Sequence, residues 1–371
     1  VQSDDIGEKI SMNEEILEKL DALEQQLNDY NEGLDIGVYP FDIADLLIEI
    51  KEVDEDAYTT FLNKLPSALL AGVLVELPKS LQEELYTNYG PKKLAKLTES
   101  LDTDDAANLI QHIEEIDGEK ADAVMSRLSN EDRDIIKELI SYENNEAGSY
   151  MQTEMFEAHI DETIGASILR LKKMKVNREI DNVHHVFVVS GKKKFVGMIP
   201  LEDLILHGPK EFYRDVVEEG KITISVDPHE DIKNVVEAVG NYDLNVIAVV
   251  NKKGILIGRI TADDIYDIIE EGATEQIYNL AGVNDTAEQE ENIWRIGRTR
   301  GLWLGINLLT AIAASLVIGL FDATLQSLVA LAILMPIVAS MGGNAGTQTL
   351  TVTVRQMALG DIEADEAKNH L

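Results

Sequence analysis

The chain has no cysteine, which excludes disulfide scaffolds, thiolate metal sites and cysteine nucleophiles. Basic residues are scarce too: 32 Lys and Arg stand against 68 Asp and Glu in 371 residues, a net charge of −36. Phosphate contact needs a basic surface and counterion release, so this balance excludes a nucleic-acid binder and points to cations as partners. No HExxH, GxSxG, P-loop, zinc-spaced histidine pair or EF-hand loop occurs, and DTDDAAN at Asp102 lacks the loop glycine, so no enzyme is expected. The first twenty residues are studded with charge and hold no apolar run, so no secretory signal is expected there.

What is present divides sharply. Residues 293 to 371 carry five basic and five acidic side chains, so the whole negative charge falls on residues 1 to 292. In the neutral part, Leu302 to Phe321 is a run of twenty uncharged residues, about the 30 Å of a hydrocarbon core as a helix. After Asp322 a second uncharged run, Ala323 to Val354, is long enough to cross back, with interruptions at Pro336, Gly342, Gly343 and Gly346. Arg295, Arg298 and Arg300 before the first span and Arg355 after the second place these ends, and residues 1 to about 300, in the cytoplasm, with Asp322 outside. The alternative is a buried core helix, which needs a covering shell. Gly342, Gly343 and Gly346 let backbones approach, while Asn344, Thr347, Gln348, Thr349 and Thr351 suit interhelical hydrogen bonds or the water shell of an ion; packing alone also accounts for the glycines.

In the acidic part, residues 1 to 32 read as a polar helix with an Ile16, Leu20, Leu23 and Leu27 stripe. Residues 33 to 146 hold short amphipathic helical patterns broken by Leu-Pro pairs, which predict an α-helical superhelix. From residue 147 the pattern becomes strand, turn, strand, helix, and it occurs twice: HHVFVVSGKKKFVGMIPLEDLI from His184 and NVIAVVNKKGILIGRITADDIYDII from Asn245. These units look like a tandem pair of CBS modules, residues 147–208 and 209–270, a type that often binds adenine nucleotides. GRITADD places Thr261 and Asp264 as in its nucleotide-binding members, whereas GMIPLED has Pro200 in the threonine place. Packing without ligand is the even alternative. His184 and His185 read as structural, since strand neighbours face opposite ways.

The order decides more than any single motif. An acidic helical domain, two CBS modules, a connecting helix in residues 263–296, then membrane helices in residues 297–371 with ASMGGNAGTQTLTVTVRQMALGDI closely resemble the magnesium transporter E family, MgtE. Other CBS-bearing membrane proteins, such as chloride channels, place the modules after the membrane part. The resemblance implies a multidomain protein: superhelix, α/β CBS pair, long connecting helix and transmembrane helices. It implies a homodimeric, multi-pass Mg²⁺ channel of the plasma membrane whose cytoplasmic domains sense Mg²⁺ and whose "plug" helix closes the pore, with ATP or another adenine nucleotide as a further ligand. Five membrane helices per subunit are expected against the two read here, so the chain looks cut off before the family's pore carboxylate.

By the same resemblance, Asp104, Asp243, Asp264 and Asp267 match sensor acids and Glu275 matches one inside the plug. Asn108, Lys233, Gly272 and Gln276 stand where family acids are expected, with Glu270 and Glu271 as substitutes. Asn344, with Gly342, Gly343 and Gln348, matches the pore path, and Asp322 an acid near its outer end. Physics agrees: Mg²⁺ keeps its waters and takes one or two carboxylates, so pairs such as Asp104 and Asp264 on facing domains are the expected sensor. The bland alternative is a solvated acidic face. A different class of reading is an adenylate-sensing CBS module, using Thr261 and Asp264, anchored to the membrane.

Overall fold

The computed structural model describes residues 19–20, 23–24, 27, 39–177, 180, 183–220, 222–281 and 293–358. They fall into two compact units, one up to Ile265 and one from Tyr266.

The first unit begins with eight short helices: α1 (Pro40–Val53), α2 (Glu55–Lys64), α3 (Ser67–Glu76), α4 (Lys79–Asn88), α5 (Pro91–Thr98), α6 (Thr103–Ile116), α7 (Gly118–Met125) and α8 (Asn130–Ile140). Proline explains much of this segmentation. Pro40 and Pro91 open α1 and α5, where a missing N–H costs nothing, while Pro66 and Pro78 follow the ends of α2 and α3. Side-chain caps fix other starts: Asp54 accepts from Ala57 N at 2.9 Å and Ser129 from Asp132 N at 3.1 Å. Each helix leaves one apolar face, and these close by packing α1 on α3, α3 on α5 and α5 on α7, with α4 on α6 and α6 on α8. This alternate stacking is the expected superhelix, with Leu47, Ile50, Leu70, Leu74, Leu94 and Leu97 in its core. Of the N-terminal stripe, Leu27 is buried, Leu20 and Leu23 are half-buried, and Ile16 lies outside the described residues. Lys19 with Glu49 and Lys64 with Glu24 tie that segment to α1 and α2.

Two three-stranded sheets follow. The first orders β1 (Glu157–His159), β2 (His185–Ser190) and β3 (Lys194–Pro200) around α9 (Ile164–Val176); α10 (Tyr213–Gly220) packs on β3. The second orders β4 (Ser225–Val226), β5 (Val246–Val250) and β6 (Leu256–Thr261) around α11 (Ile232–Asn241). In each, the first pair is parallel and the hairpin antiparallel, and both hairpins shift register at the same place, Val188/Val189 and Val249/Val250. That shared irregularity is the structural signature of the repeat. The hairpins join tip to tip, Phe195 N donating to Gly254 O at 2.9 Å and Leu256 N to Lys193 O at 3.0 Å.

Residues 145 to 152 stitch the superhelix to the second sheet module. Ala147 N donates to Glu230 O, Gly148 N to Pro228 O and Ile232 N to Asn145 O, all within 2.8 Å, and Gln152 pairs both ways with Arg259 at 2.8 Å. Gly258 permits this approach: a Cβ there would lie 2.1 Å from Met151 Cγ and 2.8 Å from Gln152 O.

The second unit holds most of α12 (Ala262–Ala281), then α13 (Ile293–Leu320), α14 (Asp322–Ser327) and α15 (Val329–Ala358). Among the described residues one segment, Gly301–Leu320, is long and apolar enough to cross a membrane, and none of it is buried. Its length and composition are those of a membrane-crossing helix, and the rest of the described chain does not cover it. α15 is longer but mixed, with Pro336 inside and a Gly, Asn, Thr and Gln stretch that is helical rather than a phosphate-cradling loop.

Substituting Gly258→Ala is expected to push residues 151 and 152 off β6 and lower stability by about 1–3 kcal/mol, the usual cost of overpacking. Chemical denaturation of the variant against the parent checks it; an unchanged midpoint would show that residues 151 and 152 yield freely.

Candidate functional site

Helix α6 starts where the superhelix meets the second sheet module. Thr103, its first residue, is clasped from residues 153 and 154: its N–H and hydroxyl donate to Glu154 Oε2 at 3.3 and 3.0 Å, and its Oγ1 accepts from Thr153 N at 2.9 Å. This aims the first turn of α6, with Asp104 and Asp105, at the start of α12. Asp104 is only 5% exposed. A carboxylate at a helix N-terminus is favoured by the helix dipole, but burial opposes its charge.

The Gln152 amide lies between the two domains' acids. Its Nε2 donates to Asp104 Oδ2 at 3.2 Å and, at a longer 3.4 Å, to Asp264 Oδ2. Asp264 Oδ2 also accepts from the Thr261 hydroxyl at 2.6 Å and the Thr261 N–H at 3.2 Å. One neutral amide thus serves two carboxylates, and Asp104 Oδ1 is buried with no hydrogen-bond partner.

The electrostatics follow. Burial, then the charges of Asp105 and Asp264, push the Asp104 carboxyl well above the usual carboxylate range. Burial, followed by Asp264, Asp102, Glu76 and Asp263, pushes Asp105 up to about 7. Burial and the mutual repulsion of these acids favour a proton or a cation here. Among the described residues no group of three or more Asp, Glu, His or Cys side chains is placed to hold a metal ion; carboxylate oxygens are ligands of the kind that suits a hard ion such as Mg²⁺, which takes only one or two of them.

The remaining candidates lie apart. Asp243, exposed and in the left-handed region with φ 52°, borders a cleft between the two sheet modules together with His184, His185 and Glu202. Thr261 and Asp264 do not border that cleft; they satisfy each other beside Asp104. Both histidines reach the cleft because His184 precedes the strand that His185 begins. Asp267 and Glu270 are exposed on α12, where the side chains of Glu271 and Glu275 lie outside the described residues. Asp322 opens α14 and accepts from Gln326 Nε2 at 2.8 Å. Gly342, Gly343, Asn344 and Gln348 are exposed on α15, and space beside the glycines is open. Asn344 and Gln348, four apart, share one face. Sequence reasoning overlooked Asp105 and Gln152. The double acid in TDDAAN was visible, but attention went to Asn108, which is exposed; nothing in the sequence singled out Gln152.

Known proteins give this geometry its context. Residues 39–145 match the MgtE intracellular N domain, residues 147–209 and 215–271 the CBS domain, and residues 335–371 the divalent cation transporter family MgtE. The chain belongs to the MgtE family. Curated relatives named magnesium transporter MgtE include those of Thermus thermophilus, 29% identical over 328 residues covering 88% of this chain and 71% of the relative, and of Enterococcus faecalis, 31% identical over 226 residues covering 61% and 49%. The chain therefore spans between about half and 71% of such MgtE relatives. A crystal structure of the soluble part of a magnesium transporter matches with TM-score 0.61 at 26% identity, covering 71% of this chain and 99% of that one. The cytosolic domain of the Mg²⁺ channel MgtE in complex with ATP matches with TM-score 0.58 at 26% identity, covering 70% and 99%. MgtE proteins are transporters of the membrane and not enzymes.

The raised acids set a pH dependence. Asp105 and Asp104 bind protons more tightly folded than unfolded, so rising pH costs the fold stability from about pH 4, the unfolded range, through about 7 for Asp105, with Asp104 adding a loss of the same sign. Without divalent ions the melting temperature is expected to fall between pH 5 and pH 8. Asp104→Asn should flatten that fall, whereas general repulsion among the other acids would leave the slope of the variant unchanged. Scanning calorimetry in EDTA separates the two.

Proposed function

We propose that this chain is the sensing and pore-entry part of a homodimeric Mg²⁺ channel of the plasma membrane, and that cytoplasmic Mg²⁺ closes it by bridging the superhelix to the CBS pair at Asp104, Asp105 and Asp264. The observation that carries the reading is the buried Asp104 Oδ1, without a hydrogen-bond partner among the described residues and repelled by Asp105 and Asp264. A hydrated divalent ion supplies positive charge, reverses the repulsion across the domain boundary, and locks α6 against the start of α12. Asp267 and Glu270 add acidic charge on α12, the plug, whose sequence also holds Glu271 and Glu275, and Asp243 adds a CBS acid. The polar face of α15 with Asn344 and Gln348 lines the ion path, and its glycines admit close helix packing. Ile205 and Leu206, each more than 80% exposed on the first CBS module, suit burial against a second copy.

Energetics allow such a gate. One site filled at ten times its dissociation constant contributes about 1.4 kcal/mol, so about four sites supply the ~5.5 kcal/mol that inverts a 1:99 equilibrium. The nucleotide-sensing alternative has less to rest on, because Thr261 and Asp264 are hydrogen-bonded to each other.

The test is calorimetric titration of Mg²⁺ into the detergent-solubilised chain at pH 6.5, in buffers of different ionisation enthalpy and at matched ionic strength. Binding is expected to release protons, because the acids are raised, and Asp104→Asn with Asp264→Asn should abolish that release. In the full-length protein the same double variant should keep conducting at high internal Mg²⁺. Closure like that of the parent would overturn the assignment of the sensor.

A further inference from the structure

Within an acidic chain, positive charge is concentrated where the two sheet modules join. Lys192, Lys193 and Lys194 lie at the tip of the β2–β3 hairpin and Lys252 and Lys253 at the tip of β5–β6, and all five are exposed. The tips are hydrogen-bonded to each other, Phe195 N to Gly254 O and Leu256 N to Lys193 O, so the five lysines share one surface. Among the described residues, the ion pair formed by this group is that of Lys193 with Glu157 at 2.9 Å. Other clustered lysines have a local reason: Lys173 and Lys175 sit in the last turn of α9, where the helix dipole favours them. A hairpin turn offers no such field, and its usual residues are glycine, asparagine and aspartate.

The repeat supplies an internal comparison. Register shifts at Val188/Val189 and Val249/Val250 align the two hairpins, which makes Lys193 the counterpart of Gly254. Both residues are in the left-handed region, at φ 54° and 76°. Glycine takes that conformation freely, and a side chain makes it costly. A lysine held there, next to four more, argues for use at the tip rather than for turn formation. The patch is also separate from Asp104 and Asp264, because β6 runs from the tip at Leu256 to Thr261, about 20 Å of extended chain. That exceeds twice the Debye length of about 8 Å, so the acids at the far end leave the tip positive. All five bases are lysine. Arginine forks select phosphates by shape, whereas lysines act as point charges and suit a diffuse anionic surface. Isolated ion pairs with a soluble acidic partner are weak, but the apolar helix segment Gly301–Leu320 tethers this chain to a bilayer, whose headgroups are then at high effective concentration. Clusters of roughly four to eight basic residues are the size that anionic headgroups retain, each lysine strengthening attachment about fivefold.

We propose that the joined hairpin tips dock on the anionic phospholipid surface of the membrane that the chain enters, with Lys192, Lys193, Lys194, Lys252 and Lys253 as the contact. The inference rests on the membrane helix and not on the Mg²⁺ site, and every measurement is made in EDTA, so its failure leaves the sensor reading standing. Because the chain has no cysteine, Ser190→Cys places a single fluorescent label beside the tip. The labelled full chain is reconstituted in nanodiscs of phosphatidylcholine, alone or with about one third phosphatidylglycerol, each carrying a headgroup nitroxide lipid that quenches on contact. Quenching is expected to be about threefold stronger in the anionic discs and to disappear at about 1 M NaCl, where the Debye length is about 3 Å. Lys192→Gln with Lys252→Gln and Lys253→Gln should lower the anionic-disc signal to that of phosphatidylcholine. Lys92→Gln with Lys96→Gln, which removes exposed charge from α5, should leave it unchanged. Equal quenching in the two lipids, or none in either, overturns the proposal. So does a signal that survives loss of the three tip lysines, or one that falls equally when the α5 lysines are removed.

Discussion

The boundary between the superhelix and the second sheet module is organised around one carboxylate taken out of water, that of Asp104. Asp104 is buried where two domains join, its first oxygen unpartnered and its second sharing one amide with Asp264. Such an arrangement costs several kcal/mol if ionised and unpaired, so it is sustained by the packing around it rather than by its own bonds. That packing is specific. Thr103 is clasped by residues 153 and 154, Gln152 is pinned on both backbone groups to Arg259, and Gly258 leaves the room in which that pinning happens. Remove the glycine and the amide moves; remove the amide and two acids face each other.

The same charge sign does different work in the CBS cleft. Glu202 and Asp243 are exposed there and stay open to solvent. Asp104 is buried, and burial with the nearby charges of Asp105 and Asp264 raises its affinity for a proton. Burial, more than the number of acids, separates the two sites, and it does so within one polyanionic chain.

Much of the architecture was legible in the sequence. Leu-Pro breaks and the three-and-four apolar spacing gave the segmented superhelix, and the repeated strand, turn, strand unit gave the CBS pair. The long uncharged run gave the apolar helix. These are local patterns, and local pattern survives in a linear reading. The site was half legible. Asp104 and Asp264 were expected to face each other across domains, and the fold does bring them to one amide. Gln152 was invisible because its role comes from a bridge to Arg259, 107 positions along, and no composition or period encodes that. Asp105 was passed over because spacing along the helix drew attention to Asn108, which the superhelix leaves in solvent.

How a bridging ion could act without unfolding anything follows from the way Gln152 is held. Its backbone N–H and C=O are both engaged with Arg259, so the segment is fixed. Its side chain makes two long hydrogen bonds, at 3.2 and 3.4 Å, to Asp104 and Asp264. Rotation about side-chain torsions is fast and cheap compared with any backbone rearrangement. An incoming hydrated ion therefore needs to displace one amide, not a strand. It replaces two weak neutral bonds with charge-assisted ones to both carboxylates. The state without the ion keeps the same domain contacts, less tightly. Under the proposed reading, such a boundary would respond to an ion by tightening in place, which is the behaviour a graded sensor of a weakly bound cation requires.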